Sequence, residues 1–137
     1  MKKTTTLIAL LLTILGHAQQ SFDCNDGNFY QVISGSLKIY DPITGSYSDA
    51  LHTYDSYNAG GYNEIDNYLY AIKNSDKHLL RIAKDMVIDL GALTPSGTTA
   101  FGGGYAADVD DEGNLWVYQN NTKNAFHKIT NLKDYDG

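Results

Sequence analysis

One interval constrains this sequence more than any other feature. Asn67-Tyr68-Leu69-Tyr70 and Asn114-Leu115-Trp116-Val117 begin 47 residues apart, and Arg81-Ile82 and Lys128-Ile129 are again 47 apart. An earlier copy runs from Gly27-Asn28-Phe29-Tyr30 to Lys38-Ile39, its inner loop shorter by four residues. Each copy reads as a strand opened by Asn, a turn, and a strand with a basic residue before Ile. Ser34-Gly35-Ser36, Asn74-Ser75-Asp76 and Asn120-Asn121-Thr122 supply the turns, being rich in residues that accept positive φ or bond their own backbone. A repeat of this length is one supersecondary unit that cannot bury its faces alone, so the copies must stack.

The flanks add further strands to these pairs. Upstream lie Asn58-Ala59-Gly60-Gly61-Tyr62-Asn63 and Gly104-Tyr105-Ala106-Ala107-Asp108-Val109, whose small residues suit the crowded inner strand of a propeller blade. Downstream, Asp41-Pro42-Ile43-Thr44-Gly45 and Lys84-Asp85 are turn signals before outer strands at 47–51 and 86–90. The third copy has no such outer strand before Gly137. In residues 68–72, Tyr68, Tyr70 and Ile72 share one face and Leu69 and Ala71 the other, so both faces are apolar, as a strand between stacked sheets requires. The expected fold is all-β: an incomplete β-propeller-like array of about three antiparallel four-stranded blades, with repeats at about 27–51, 58–91 and 104–137.

Met1-Lys2-Lys3, an apolar run from Leu7 to Leu15 and Gly16-His17-Ala18 form a signal-peptide pattern, too short to span a bilayer. Cleavage is expected after Ala18, leaving a repeat domain over 19–137 that opens on Gln19 and is not inserted in a membrane. Cys24 is the single cysteine and follows Ser21-Phe22-Asp23, which is no lipobox, so no internal disulfide framework exists; its state stays open between burial, a bond to another chain and a bond to a cysteine outside this fragment. Loss of Lys2 and Lys3 leaves 8 basic against 16 acidic residues, a charge of −8. That balance excludes nucleic acid and anionic membranes, where Lys and Arg supply the affinity, and suits a secreted or cell-surface protein.

Phe29-Tyr30-Gln31-Val32-Ile33-Ser34-Gly35, Leu37-Lys38-Ile39-Tyr40-Asp41-Pro42 and Gly61-Tyr62-Asn63 with Asp66-Asn67-Tyr68-Leu69-Tyr70 resemble, in their wording, a bacterial family of propeller-like repeats catalogued as domain of unknown function 6923. The resemblance covers about residues 22–132. It implies a place at the front of secreted and cell-surface proteins, usually longer than this chain, and brings no catalytic residues with it.

Asp108-Val109-Asp110-Asp111-Glu112-Gly113-Asn114 alternates acids as a calcium loop does, but position twelve is Gln119, not a bidentate Glu, and the flanks read as strands. A tight turn is the expected form. Occasional calcium binding by Asp108, Asp110 and Glu112 is the alternative, and millimolar calcium should leave the melting temperature nearly unchanged. His52, His78 and His127 occupy no common repeat position and stand near no nucleophile motif. Gly102-Gly103-Gly104 lacks the Lys and Ser/Thr of a phosphate loop and reads as an irregular connection. The Tyr residues and Trp116 are expected in the core before they are expected against sugars. No catalytic, cofactor-binding or metal-ligating residue is therefore expected, and no cofactor.

These features point to a non-enzymatic extracellular or cell-surface binding or scaffold module for a protein or glycan partner. The alternatives are part of a propeller-type lyase or hydrolase, and a gene fragment without independent function. Closed propellers need at least about four blades. About 119 residues after cleavage is too few at about 45 per blade, so an open row is expected, with apolar terminal faces prone to self-association.

Overall fold

A computed structural model describes residues 18–23, 25–93, 101–119 and 125–135. The segment read as a signal peptide, Cys24 and the Asn120-Asn121-Thr122 turn lie outside the described residues, Ala18 excepted. The chain is all-β and forms three antiparallel sheets. The first contains β1 (Phe29–Ile33), β2 (Ser36–Asp41), β3 (Ser46–Tyr47) and β4 (His52–Thr53). The second contains β5 (Tyr57–Asn63), β6 (Tyr68–Lys73), β7 (His78–Ile82) and β8 (Val87–Ala92) in chain order. The third contains β9 (Ala106–Val109), β10 (Leu115–Gln119) and β11 (Ala125–Ile129), followed by a 3-10 turn at Leu132–Asp134.

The hairpins of the first sheet follow from their turn chemistry. Ser34 and Gly35 both take positive φ, 49° and 79°, the backbone a two-residue hairpin between twisted strands needs. A side chain at Gly35 would also collide with the carbonyl oxygens of Tyr54 and Asp55. Asp41 accepts the backbone N–H of Ile43 at 2.8 Å and the Thr44 hydroxyl at 2.8 Å, which closes the next turn.

The sheets stack through two apolar layers. Between sheets two and three lie Ala59, Tyr70, Ile72, Leu79, Leu115, Val117, Ile129 and Leu132. On the other side of sheet two, Tyr57, Ala71, Leu80 and Ile82 pack with Val32, Tyr54 and Leu69. Strand β6 thus buries both faces, as its sequence implies. The inner strands touch backbone to backbone, since a Cβ on Gly61 would meet Val109 N at 2.7 Å, and a Cβ on Gly104 would overlap the Val117 side chain of the neighbouring strand β10. That close approach is the reason for the small residues on β5 and just before β9.

Three expectations need correction. The repeat does not run without a gap. Tyr62 pairs with Leu69 and Val109 with Leu115, while Tyr70 pairs with Arg81 and Trp116 with Lys128. Successive inner and third strands are therefore 47 apart but the middle strands only 46, because the turn after Val109 is one residue shorter. Trp116 corresponds to Tyr70, not Leu69, while Arg81 and Lys128 do fall together. In the first sheet Tyr30 faces sheet two opposite Ile39, so Ile39, and not Lys38, stands where Arg81 does. Finally, the first sheet is not a blade of the expected form. Its four strands include no inner one among the described residues, and its outer edge is β3 and β4, held to β2 by Ser48 N to Ile39 O and Leu51 N to Leu37 O on either side of a bulge. The third sheet ends after three strands among the described residues, as expected.

Residues 19–22 lie across the turn end of sheets one and two. Lys84 N donates to Gln20 O and Phe22 N to Asn67 O, while Phe22 is buried against Tyr30, ring centroids 4.8 Å apart.

Candidate functional site

The turns at one end of the stack repeat a small polar device. In the first sheet the Tyr30 hydroxyl donates to Asp26 Oδ2 at 2.5 Å, and in the second the Tyr70 hydroxyl donates to Asp66 Oδ2 at 2.6 Å. In the third the Trp116 indole N–H donates to Asp110 Oδ2 at 2.8 Å. The other carboxylate oxygen accepts backbone N–H groups from Asn28, Tyr68, and both Glu112 and Asn114, respectively. Each Asp thus ties its turn to an aromatic ring on the strand that follows it, β1, β6 or β10. Asp110 is held down at about 2, by the Asn114 backbone N–H first and the Trp116 indole next. Asp26 is held well below the usual carboxylate range, first by the Lys84 ammonium and then by Tyr30. Burial pushes the Tyr70 phenol well up, and Asp66 adds to it.

This arrangement settles the geometry of the acidic stretch. Asp110 N donates to Asn114 O and Gly113 N to Asp110 O, both at 3.0 Å, so it is a tight turn. The Asp108 carboxylate turns to its neighbour's backbone, Val109 N, and Glu112 stands 3.6 Å from Lys128 Nζ. Asp108, Asp110 and Glu112 are not drawn into one ligand set.

At the opposite end, sequence reasoning missed an ionic cluster. Asp76, His78 and Asp89 bring one ligand atom each within 4.8 Å of one another. Lys73 already holds this place: its ammonium lies 2.9 Å from Asp76, 3.3 Å from Asp89 and 3.6 Å from Asp55. Asp76 first, then Asp89, raise the Lys73 pKa despite the opposing effect of burial, and Lys73 is the leading cause lowering Asp76. The imidazole Nδ1 of His78 meets Asp89 Oδ1 at 2.8 Å. A divalent cation would have to displace an ammonium that the same carboxylates solvate, so the residues present do not favour a metal.

Next to Lys73 a cleft of about 310 Å3 opens between sheets two and three. Asn58, Asn74, Lys77, Gln119 and the Gly102–Tyr105 connection line it. Lys77 takes positive φ, 67°, and lays its stem across Gly103, where a Cβ would meet Lys77 Cδ at 3.0 Å. Its ammonium donates to the Asn74 carbonyl, one of three donors it carries. Tyr105 is 70 % exposed at the mouth. Amide groups, an ammonium and an open aromatic ring around a concavity can bind a polar ligand. The glycine run read as an irregular connection is one wall of it.

The remaining sequence candidates stay apart. His52 Nε2 pairs with Ala83 O at 2.9 Å in the contact between sheets one and two, and His127 packs edge-on against Phe101 at 5.2 Å. With His78, they stand on three different sheets. Tyr70 is core, whereas Trp116 is 41 % exposed. The repeated Asp-to-Tyr spacing of four, Asp26 to Tyr30 and Asp66 to Tyr70, was the signal in the sequence for the clamps.

Stacked antiparallel sheets, each clamped by a turn Asp, define a β-repeat protein. The family described as "Repeat of unknown function (DUF6923)" matches residues 17–135, and the chain belongs to it. No curated protein and no solved structure matches.

Proposed function

We propose that this repeat protein is an exported, non-enzymatic binding module, secreted or held at the cell surface, that takes a polar segment of a protein or glycan partner. The cleft between sheets two and three carries this reading: Asn58, Asn74 and Lys77 offer hydrogen bonds beside the exposed Tyr105 ring. The carboxylates in reach, Asp76 and Asp89, are committed to Lys73, which supports ligand holding over acid-base chemistry. Export is supported by the leader pattern of residues 1–18.

Fractionation and N-terminal sequencing should find the protein outside the cytoplasm beginning at Gln19. Cytosolic protein with Met1 intact would refute export. Glycan and peptide arrays probed with the purified protein should yield ligands lost in Y105A and weakened in N74A. Binding that ignores both variants would remove the cleft from consideration, and turnover of a bound ligand would replace the reading with an enzymatic one.

A further inference from the structure

The contact between neighbouring sheets has two unlike sides. On sheet two, the face turned to the following sheet presents Tyr70, Ile72 and Leu79, each no more than 1 % exposed. Register places Tyr70 opposite Arg81 and Ile72 opposite Leu79. The same two rungs on sheet three are Trp116 opposite Lys128 and Tyr118 opposite Phe126. Every apolar position is kept, yet here Trp116 is 41 % and Phe126 is 69 % exposed. Tyr118 and Phe126 stack with centroids 5.1 Å apart, and Lys128 lies 5.3 Å over the Trp116 ring.

The other end of the row offers the opposite side of the same contact. The face of sheet one turned away from sheet two carries Phe29 opposite Tyr40, with Tyr47 beside it, at the rung where sheet two has Leu69 opposite Ile82. Phe29 is 60 % exposed, and Ile33 and Tyr47 are also open. Gln31 and Lys38 stand where sheet two has Ala71 and Leu80, which makes this face more polar than its buried counterpart.

We propose that a second copy of this chain docks head to tail, the Trp116/Tyr118/Phe126 face of one copy covering the Phe29/Tyr40/Tyr47 face of the next. Among the described residues the chain displays one exposed face of each kind, and so carries both halves of its own sheet-to-sheet contact. Exposed aromatic rings concentrated at the two ends of a stack are the composition of association surfaces. The described sheets of two copies number six, within the roughly four to eight blades of closed propellers, and a head-to-tail contact closes into a ring where its rotation allows. The polar Gln31 and Lys38 make the assembly reversible.

Sedimentation equilibrium on the intact exported protein tests this. Wild type should be dimeric, and F126E and F29E should each raise the dissociation constant at least about 30-fold. Mixing the two variants should restore a one-to-one dimer, because one unaltered contact survives between them. Thermal melts on protein dilute enough to be monomeric should stay near wild type, since both side chains are largely exposed, and F126S with I33S is a gentler second pair. A wild-type monomer at about 100 µM overturns the proposal. So does a dimer that F126E breaks and F29E leaves intact, which would mean pairing of like faces, or a mixture that stays monomeric.

Discussion

Tyr70 and Trp116 hold the same place in successive sheets and differ in what covers them. Each donates to an aspartate in the turn before its strand, and each stands opposite a basic residue on the next. Sheet three covers Tyr70 completely, whereas Trp116 keeps 41 % of its surface open. An equivalent side chain is therefore core in one repeat and surface in the next, and the repeat position alone does not decide its energetic weight. In a stacked protein stability comes from each sheet's contact with its neighbour.

Truncation breaks the comparison most sharply. Y70A removes a fully buried ring and strips the Asp66 carboxylate of its hydroxyl donor. Loss of a buried aromatic side chain should cost about 3–5 kcal/mol. W116A, measured on protein dilute enough to be monomeric, should cost about 1 kcal/mol or less, since half-exposed positions gain little from burial. Urea unfolding of the two variants checks the ratio. Equal losses would mean that Trp116 is as deeply engaged as Tyr70.

A smaller contrast separates the stacked interior from the rim. In G61A the new methyl group would meet the β9 backbone at Val109 N, 2.7 Å away, and a strand cannot give way as a flexible side chain can. Overpacking of this kind should destabilise by about 1–3 kcal/mol. In G45A nothing lies within 4 Å of the added carbon, and only the positive φ of 67° opposes it, a strain of about 1 kcal/mol. The same unfolding measurement should rank G61A above G45A.

Much of this was legible in the sequence, and the losses have physical causes. Period, small inner strands and two-faced apolar patterning sufficed for stacked sheets because each reflects a steric requirement that local residues must meet. The one-residue slip was invisible because Leu69 and Tyr70 are both apolar, so sliding Trp116 from one to the other violates no pattern until strand pairing fixes which face it uses. That sheet one has no inner strand among the described residues was overlooked for a related reason: residues 19–28 hold no strand signal, and the last of them lead into β1 through the Asp26 turn. Of the candidate site, the glycine connection was seen but not its role as a wall, and the Lys73 cluster was missed. Lys73, Asp76, His78 and Asp89 span two turns and three strands, and a charge network across strands is set by register rather than by sequence spacing.

The finest test uses the open member of the pair as its own reporter. Trp116 is the single tryptophan in the chain, and its indole N–H bonds the carboxylate of Asp110. That carboxyl titrates at about 2 in the folded protein against a reference of 3.8, because the Asn114 backbone N–H and then the indole bind its ionised form. A depressed acid contributes stability that is fully present above its unfolded value and lost as the pH falls through the folded one. The contribution of Asp110 should therefore fade between about pH 4 and pH 2, with Asp26, also depressed, adding to the loss at the acid end. Fluorescence of Trp116, followed downward in pH while circular dichroism confirms that the fold persists, should show a step centred near 2 in wild type. In D110N that step should vanish and the remaining emission should vary little with pH. A midpoint near 4 in wild type would show that the clamp does not bind the ionised carboxylate, and a step that survives D110N would show that some other group reports on the indole.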